Sequence, residues 1–386
     1  SGGTITNKSG FGVRINRAEN VALAAMNITI TGDDGLYGGG PTPGDSVNGF
    51  ALRGGFLSNN GTAVNVHGLE FRDLHGTVVI DNTQVTGSAE DAVRIFNDEG
   101  ELADLDIANS VFTLNSPGLG NNGLNIEARG NARLSDIDIA GCTFSQLRAT
   151  GVQVSTTDTA LANVDIATST FTNNNIAVNL AAVASSTLII DVHDNPSING
   201  HNSHAVNVFS SDPSTATVSG SIRNNTIGTG GVASSGSAFG NGIRLNINGN
   251  SNADLLIDSN IIQEIEFGRG IESVARLGIG MDAGTARVAI TNNTVRVNPT
   301  WGLAGIYLES EDGNTVCARI ANNDAIGGPY FPGFGGAYLL NQYGGTFNLE
   351  GTAGDAATEI SNTNTGTPVN ANGTVTIVPP GTCPQP

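Results

Sequence analysis

The chain has 386 residues, of which 13% are charged and 38% are hydrophobic, and it contains 53 glycines. This composition favours short strands joined by polar turns, and it excludes a disordered chain because apolar residues are too many and too regularly placed. The formal net charge is −19, and Lys8 is the only lysine. Nucleic acid is therefore excluded as a partner, since its phosphate backbone binds surfaces rich in lysine and arginine.

A four-residue block, small–apolar–variable–apolar, begins at Gly12 and recurs along the chain. Its period of two residues is typical of a half-buried strand. Further copies start at Ala63, Ala92, Gly123, Gly151, Ala177, Ala205 and Gly242, and weaker copies start at Gly270, Gly305 and Ala337. From Ala63 onward the copies are 26 to 37 residues apart, so each repeat contributes one strand of this type.

A second block, apolar–x–apolar–x–x–polar–x–apolar, follows the first at a nearly constant distance. It is clearest in residues 105–112, 137–144 and 164–171. Its polar position is filled by Ser110, Cys142, Ser169, Asn225, Asn260, Asn293 and Asn323. This column predicts an asparagine ladder inside a turn, because a buried amide can bond the turn backbone and the asparagines above and below it.

Strands of four or five residues cannot bury an apolar face alone, so the repeat predicts coils that stack around a shared core. We predict an all-β fold, a right-handed single-stranded parallel β-helix (a solenoid) of roughly 11–12 coils with loop insertions on one edge. Residues 1–386 are predicted to form one domain, with N-terminal coils in 1–62, regular coils in 63–345, and a C-terminal coil and tail in 346–386.

Several segments interrupt the repeat. Segment 32–48 is rich in glycine and proline and is predicted to be a long loop out of the first coils. Four insertions follow the second block and precede the first, so they leave one corner: 113–122, 228–241, 296–304 and 327–336. Insertions confined to one edge often form the binding face of a solenoid, and the alternative is that this corner only tolerates length.

Asp106, Asp138 and Asp165 take the same outward position in successive copies of the second block. Asp104 and Asp136 lie beside the first two. Equivalent carboxylates one coil apart repel each other unless they are solvated or bridged by a cation. A Ca²⁺ site is therefore one hypothesis and a solvated acidic face is the other, and no cofactor is required by the fold.

Aromatic residues concentrate late in the chain, mostly in two of the edge insertions. The candidate binding residues are Trp301, Tyr307, Tyr330, Phe331 and Phe334. Such rings stack on sugars and pack against partner chains. They can also cap the open end of a solenoid, which exposes apolar surface and unpaired strand groups. All three interpretations stay open.

Cys317 and Cys383 are candidates for a disulfide that ties down the C-terminus, while Cys142 lies in the core-facing polar column. The cysteine count alone does not identify an oxidising compartment. His201 and His204 fall in one turn and are expected to be exposed. The five histidines do not show the spacing of a metal site.

The two blocks resemble the repeats of the right-handed parallel β-helix (pectin-lyase-like) superfamily. That group includes pectin-lyase-like enzymes, tailspikes, and the passenger domains of autotransporters and other bacterial surface adhesins, and the chain is closest in character to the adhesins. The resemblance covers nearly the whole chain. It implies the fold and leaves the activity open, because this scaffold carries lyases, hydrolases and structural rods alike.

The resemblance also indicates what an enzyme would need. Polygalacturonase-like hydrolases share Asn-Thr-Asp, Asp-Asp, Gly-His-Gly and Arg-Ile-Lys motifs, and here Asp33 and Asp34 match the Asp-Asp pair and are the catalytic candidates. Nothing matches the Arg-Ile-Lys element, and Gly200-His201 is followed by Asn202. An Asp-Asp pair in a glycine-rich loop is more often a solvated turn. Pectate-lyase-like enzymes combine Ca²⁺ with a basic residue, and no basic residue clearly faces the acidic stripe.

We therefore expect a non-catalytic β-helix at the cell surface or outside the cell, with a structural or adhesive role as a segment of a surface protein or a subunit of a fibre. Its partners would be other protein chains, through head-to-tail stacking, or extracellular glycans. The alternatives are a polysaccharide lyase or glycoside hydrolase, and a glycan-binding module. No apolar run is long enough for membrane insertion, and a chain that begins at Ser1 is expected to be a processed or excised piece.

Overall fold

The computed structural model describes residues 2–40, 44–61, 63, 65–113, 121–211, 213–276, 284–329 and 335–383. Over these residues the fold is all-β, a solenoid of about 12 turns built from three parallel sheets. The predicted parallel β-helix is therefore confirmed. The chain forms two compact units, residues 1–179 and 180–386.

In the first unit, each described coil contributes one strand to each of three sheets. The strands in chain order are β1 (Gly3–Lys8), β2 (Val13–Ile15), β3 (Ala18–Ala24), β4 (Met26–Thr31), β5 (Leu36–Gly38), β6 (Val47–Arg53), β7 (Phe56–Ser58), β8 (Leu69–Arg72), β9 (Leu74–Asp81), β10 (Gln84–Thr86), β11 (Val93–Asn97), β12 (Glu101–Ala108), β13 (Val111–Thr113), β14 (Leu124–Ala128), β15 (Arg133–Ala140), β16 (Thr143–Ser145), β17 (Thr150–Thr156), β18 (Leu161–Ala167), β19 (Thr170–Thr172) and β20 (Ile176–Ala182), which contains the boundary between the units. The first sheet runs β1-β4-β7-β10-β13-β16-β19, the second β2-β5-β8-β11-β14-β17, and the third β3-β6-β9-β12-β15-β18.

The second unit repeats this order. Its elements are β21 (Thr187–His193), β22 (Ser197–Asn199), β23 (Val206–Ser210), β24 (Thr217–Arg223), β25 (Thr226–Ile227), β26 (Ile243–Asn248), β27 (Asn252–Asp258), β28 (Ile261–Ile265), β29 (Ile271–Arg276), β30 (Thr285–Thr291), β31 (Thr294–Val297), β32 (Ala304–Glu311), β33 (Thr315–Ala321), β34 (Asp324–Ile326), β35 (Gly336–Tyr343), β36 (Thr346–Glu350), α1 (Ala356–Thr363), β37 (Val369–Asn372) and β38 (Val375–Val378). The first sheet runs β22-β25-β28-β31-β34, the second β23-β26-β29-β32-β35-β37, and the third β21-β24-β27-β30-β33-β36-β38. In the last coil α1 stands where the other coils have a first-sheet strand.

The strand β12 shows how alternation builds the core. Ile107 points inward and is buried, while its neighbour Asp106 faces outward. Ile107 is in register with Ile139 of β15, which is in register with Ile166 of β18. Each fully buried side chain of this kind contributes about 2 kcal/mol, so the stack replaces the stability that one short strand lacks.

The polar column of the second block lies in the turn between the third and first sheets. In the second unit, Asn260 Nδ2 donates to the carbonyl of Ile222 (2.9 Å) and to Asn293 Oδ1 (3.0 Å). Its Oδ1 accepts from the backbone N–H of Asn225 (3.0 Å). Side-chain bonds of this type link Asn195, Asn225, Asn260, Asn293, Asn323 and Asn364, one in each coil. The last of these is the C-cap of α1, so the helix continues the column.

In the first unit, shorter side chains fill the same column. Ser169 Oγ accepts from the backbone N–H of Cys142 (3.1 Å), and Ser110 Oγ accepts from that of Thr83 (3.0 Å). Two residues further along, the rings of Phe112, Phe144 and Phe171 stack in the core, with centroids 5.1 and 5.0 Å apart.

Two details of the predicted register are wrong. The second-sheet strand of the third coil is β8, preceded by Gly68, and not the copy assigned to Ala63. Its Leu69 is in register with Leu36 and with Val93. The predicted loop 32–48 likewise contains the buried strand β5 and the first residues of β6.

Gly38 explains why the sequence predicts a loop where the second coil has its second-sheet strand, β5. A Cβ on Gly38 would lie 2.4 Å from Cδ1 of Phe71 in the next coil, so the ring occupies the place of a side chain. The strand therefore lacks the last apolar residue that the block requires. The ring of Phe71, from the neighbouring coil, fills the core space at Gly38 instead.

The edge insertions leave each unit at the corner between the first and second sheets, as predicted. In the first unit, segment 113–122 separates β13 from β14. In the second unit, 228–241 precedes β26, 296–304 joins β31 to β32, and 327–336 joins β34 to β35. Residues 114–120 and 330–334 of these insertions lie outside the described part of the chain.

The C-terminal tail is held by a disulfide between Cys317 and Cys383, the pair considered from the sequence. Cys317 lies in β33, and 66 positions of sequence separate the two cysteines. The backbone N–H of Cys383 also donates to Glu350 Oε1 (2.6 Å). The tail is thus tied to its own chain.

Candidate functional site

The corner between the first and second sheets of the second unit carries three exposed rings. Phe239 lies in the insertion before β26, Phe267 follows β28, and Trp301 precedes β32, so three successive coils supply one ring each. The centroids of Phe239 and Phe267 are 5.5 Å apart with planes 5° from parallel, and those of Phe267 and Trp301 are 6.1 Å apart. Their exposed fractions are 70%, 38% and 46% in chain order. We call this set the aromatic ladder.

Polar side chains flank the aromatic ladder and connect its loops. Glu266 Oε2 accepts from Asn298 Nδ2 (3.0 Å) and from Ser234 Oγ (3.3 Å). Asn298 Oδ1 in turn accepts from the backbone N–H of Trp301 (3.0 Å). These bonds join the loops of all three rings and place hydrogen-bonding groups beside an apolar surface. Rings with a few placed polar groups are the usual lining of a small-molecule or sugar site.

The sequence prediction finds only part of the aromatic ladder. Trp301 belongs to it, but Tyr307 is 2% exposed, with Arg269 Cζ 3.8 Å from its ring centroid and its hydroxyl bonded to Glu309. Tyr307 therefore faces a charged network rather than solvent and lies outside the exposed aromatic ladder, and its role in binding stays a prediction. The other predicted aromatic residues, Tyr330, Phe331 and Phe334, lie outside the described residues. The missed rings share one signal, which is that each corner loop of three consecutive coils carries one aromatic residue.

The network that holds Tyr307 lies on the outer face of the second sheet in the second unit. Glu272 pairs with Arg244 (3.2 Å) and with Arg269, and Glu309 pairs with Arg276 (2.9 Å). Burial opposes the charge on Glu272, but the guanidiniums of Arg269 and Arg244 outweigh it and hold its pKa below the usual range. Both carboxylates have arginine partners, so we interpret the network as one that stabilises the fold.

In the first unit the predicted catalytic candidate Asp34 belongs to a hydrogen-bonded column at the first-to-second-sheet corner. The backbone N–H of His67 donates to Asp34 Oδ1 (2.5 Å), that of Asp91 to His67 Nδ1 (3.2 Å), and that of Asn122 to Asp91 Oδ1 (3.0 Å). Each side chain thus accepts the N–H of the next coil. We call Asp34, His67, Asp91 and Asn122 the corner ladder. The second candidate, Asp33, accepts from the backbone N–H of Asp34 (3.1 Å).

The same corner of the second unit uses the same device. The backbone N–H of Asn241 donates to His204 Nδ1 (3.0 Å), and that of Arg269 donates to Asn241 Oδ1 (2.8 Å). His204 is half-buried and His201 is buried, so the expectation that both are exposed is wrong. The insertion before β26 covers this turn, because its Ser237 forms a parallel bridge with His201.

Burial controls the charge of Asp34. It raises the pKa of Asp34 to about 8, against the hydrogen bond from His67 N–H, and the neighbouring carboxylates of Glu70 and Asp33 reinforce the shift. At neutral pH the protonated form of Asp34 is therefore favoured. Glu70 accepts from Arg72 Nε (3.0 Å).

His67 is neutral and offers one unused proton. Burial, together with the positive charges of Arg94 and Arg72, lowers its pKa to about 3. Because Nδ1 accepts from Asp91, the ring proton resides on Nε2, which has no hydrogen-bond partner among the described residues. A buried donor without an acceptor costs about 1–3 kcal/mol.

Three guanidiniums surround Phe96 on the adjacent outer face of the second sheet. Arg72, Arg94 and Arg129 lie 5.9, 5.8 and 4.6 Å from its ring centroid. Glu127 pairs with Arg129 (2.6 Å) and more loosely with Arg94 (3.5 Å). In a chain with a net charge of −19, this face concentrates positive charge.

The acidic stripe on the third sheet has the predicted register. Asp106 is in register with Asp138 on the next strand, and Asp138 is in register with Asp165. Partial burial raises the pKa of Asp106 and of Asp138, and the carboxylates of Asp104 and Asp136 respectively are the next cause. Repulsion between neighbouring carboxylates is expected both in a solvated acidic face and in a cation site without its ion, so it does not distinguish the two interpretations. Ca²⁺ binding by the stripe stays a prediction.

A cavity of about 450 Å³ lies beneath the disulfide-tethered tail of the second unit. Glu350 and Glu359 line it together with Arg319. Glu350 accepts from the N–H of Cys383, and Glu359 accepts from the N–H of Thr352 (2.8 Å) and of its neighbour Ala353. Both carboxylates therefore serve to fix the tail and the segment before α1.

Comparisons of the chain with protein-family models, with curated proteins and with solved structures return no match. Within the described ranges, no helix has the length and apolarity required to cross a membrane. The fold by itself does not identify a function, because one scaffold carries unrelated sites.

Proposed function

We propose that the protein is a non-catalytic extracellular β-solenoid that adheres to polysaccharide through the aromatic ladder of its second unit. The observation that carries this proposal is the exposure of Phe239, Phe267 and Trp301 on three successive coils. A row of exposed rings marks an interaction surface, since water is a poor partner for apolar faces.

The surroundings of the aromatic ladder favour a sugar as its ligand. Phe239 and Phe267 cover one face of each other, which leaves the outer face of Phe239 and the ring edges for the C–H groups of a saccharide. Glu266 and Asn298 lie within reach of its hydroxyl groups. The carboxylate of Glu266 and the net charge of −19 favour a neutral glycan over an acidic one at this corner.

The disulfide supports an extracellular location. A bond such as Cys317–Cys383 persists in oxidising compartments and is rare in a reducing cytosol. It also ties the segment after β38 to β33, which should protect that segment from proteolysis. An adhesive protein outside the cell benefits from both effects.

The catalytic alternative has less support. Asp34 is buried and acts in the corner ladder, where it accepts the N–H of His67. Glu272 and Glu309 are occupied by arginines. Each of these carboxyl groups therefore has a structural partner that accounts for its position.

The test compares the full chain with the triple variant Phe239→Ala, Phe267→Ala, Trp301→Ala in affinity gel electrophoresis with soluble neutral polysaccharides. Each stacked ring is worth about 0.5–1.5 kcal/mol, so retardation by the preferred glycan should weaken at least about tenfold. Ile189→Ala is the matched control, because Ile189 is also exposed and apolar but lies on β21, away from the corner.

Undiminished retardation of the triple variant would refute the role of the aromatic ladder. Equal losses in the triple variant and in Ile189→Ala would indicate non-specific adsorption. Circular dichroism melting curves of all three proteins establish that the comparison is made between folded chains.

A further inference from the structure

A separate feature of the first unit is a buried proton donor that faces two arginines. His67 is fully buried, its Nδ1 is occupied by the N–H of Asp91, and its Nε2 has no hydrogen-bond partner among the described residues. Arg94 and Arg72 are the positive charges that lower the pKa of the ring, and Asp91 Oδ2 lies 3.6 Å from its Nδ1. The free N–H is therefore a buried donor on a ring that is influenced by the charges of two guanidiniums.

Arg94 supplies a second unused donor. Its Nε is buried and has no hydrogen-bond partner in the described chain, while its Nη2 lies 3.5 Å from Glu127 Oε1. The guanidinium is therefore only loosely neutralised. His67 Nε2–H of the corner ladder and Arg94 Nε–H of β11 therefore both lack a hydrogen-bond acceptor among the described residues.

The electrostatics around these donors favour an anion. Burial raises the pKa of Asp34 to about 8, which favours its neutral form, and Glu70 has a cationic partner of its own in Arg72 (3.0 Å). The charge of Arg94 is consequently not cancelled from this side. The site reaches solvent through the arginines, whose side chains are 37% (Arg72) and 20% (Arg94) exposed.

We infer that His67, Arg72 and Arg94 form an oxyanion site that binds the carboxylate or sulfate group of an acidic sugar. One ligand oxygen accepts from His67 Nε2–H and from Arg94 Nε–H, and the sugar ring lies against Phe96, which the guanidiniums of Arg72 and Arg94 flank. The donors are of the kind that prefers charged oxygen, and a neutral sugar offers only hydroxyls. This site lies in the first unit and does not depend on the aromatic ladder.

The test is isothermal titration of the full chain with glucuronate, glucose 6-sulfate, glucose and inorganic sulfate. We expect at least one acidic sugar to bind and glucose not to bind, and the tighter acidic sugar identifies the oxyanion. Arg94→Gln should weaken that binding about tenfold or more, because a charge-assisted hydrogen bond is lost. Arg53→Gln is the control, since it removes the same charge from an exposed arginine on β6.

A second readout keeps the inference testable if Arg94→Gln folds poorly. In the unchanged protein, long-range ¹H–¹⁵N spectra should show His67 protonated at Nε2, and the acidic sugar should shift that nitrogen while glucose does not. His67→Asn should keep the corner ladder, as Asn122 does, and lose the binding. The inference is overturned if neither acidic sugar binds, if Arg53→Gln weakens binding as much as Arg94→Gln, or if inorganic sulfate binds as tightly as the sugars.

Discussion

Chemically different side chains do one task at the corner between the first and second sheets. Asp34, His67, Asp91 and Asn122 each accept a backbone N–H from the next coil. The requirement is a single acceptor atom at a fixed height, which an aspartate, an imidazole or an amide can supply. No single residue type therefore occupies this position in every coil, and a search for one repeated residue misses it.

The protonated state of Asp34 should make stability fall with rising pH. Its pKa is 3.8 in an unfolded chain and about 8 in the fold, so its stabilising contribution is complete below pH 3.8 and is lost as the pH rises through about 8. Above about pH 6.5 the shift of Asp91, to a pKa of about 6, no longer contributes. From there to pH 8, Asp34→Asn should abolish a slope of up to about 1.4 kcal/mol per pH unit in the free energy of unfolding.

Urea unfolding of wild type and Asp34→Asn at about pH 6.5, 7, 7.5 and 8 measures this difference. Parallel curves would mean that Asp34 is already ionised in the folded protein. Glu70 and Asp33, which face the same carboxyl, stay unchanged in both proteins.

The asparagine ladder makes a graded prediction. Asn260→Ala removes the acceptor of the Asn225 N–H and a donor to the carbonyl of Ile222, and it should cost about 3 kcal/mol. Asn260→Ser should cost about half as much, because Ser110 and Ser169 accept the equivalent N–H in the first unit. Guanidinium unfolding measures both values, and equal costs for the two variants would contradict the role of the side-chain acceptor.

At the scale of elements, the sequence predicts strands wherever apolar residues alternate without interruption. β11, β14 and β17 follow that rule; the small first residue precedes β11 and β14 and lies inside β17. β5 breaks the rule because Gly38 yields its space to the ring of Phe71. Only the neighbouring coil reveals why a glycine stands in the core, so periodicity along one strand cannot find it.

The candidate sites were less predictable than the strands. Trp301 and the corner loops could be identified from spacing, but Phe239 and Phe267 became a set only when stacking brought their loops together. The donors of His67 and Arg94 are recognised because they have no hydrogen-bond acceptor among the described residues, and a sequence alone does not show this. Asp33 and Asp34 match a catalytic motif in the sequence. In the structure, the hydrogen bond from the backbone N–H of His67 in the next coil explains the position of Asp34.

The disulfide should act locally on the C-terminal elements. Replacing Cys383 by serine removes a loop constraint of 66 positions and should lower the free energy of unfolding by about 3 kcal/mol. The tail beyond β38 should then become sensitive to limited proteolysis, whereas fragments from the first unit should not appear. Cys142→Ser is the control because Cys142 is a free cysteine, and equal protease resistance of the two variants would contradict this role.

At the scale of the whole molecule, two properties oppose each other. In the described chain, β1, β2 and β3 each have a partner strand on one side only, which leaves an edge to which another copy could add. A net charge of −19 makes copies repel. Association should therefore be weak at low salt and grow as salt shortens the screening length from about 10 Å at 0.1 M to about 3 Å at 1 M.

Light scattering after size exclusion at both salt concentrations tests this prediction, and electron microscopy shows whether the assemblies are linear. Monomers at every salt concentration would exclude head-to-tail addition under these conditions.

The in-register stacking of equivalent side chains makes the coil a removable unit. Deletion of residues 110–141 would take out β13, β14 and β15 and bring Cys142 to the place of Ser110. β12 would then lie beside β18, with Ile107 against Ile166, and the new seam would join the same kinds of side chain as the old ones. Length is thus a quantity that genetic duplication or loss can change in whole steps, while the chemistry of each junction is preserved.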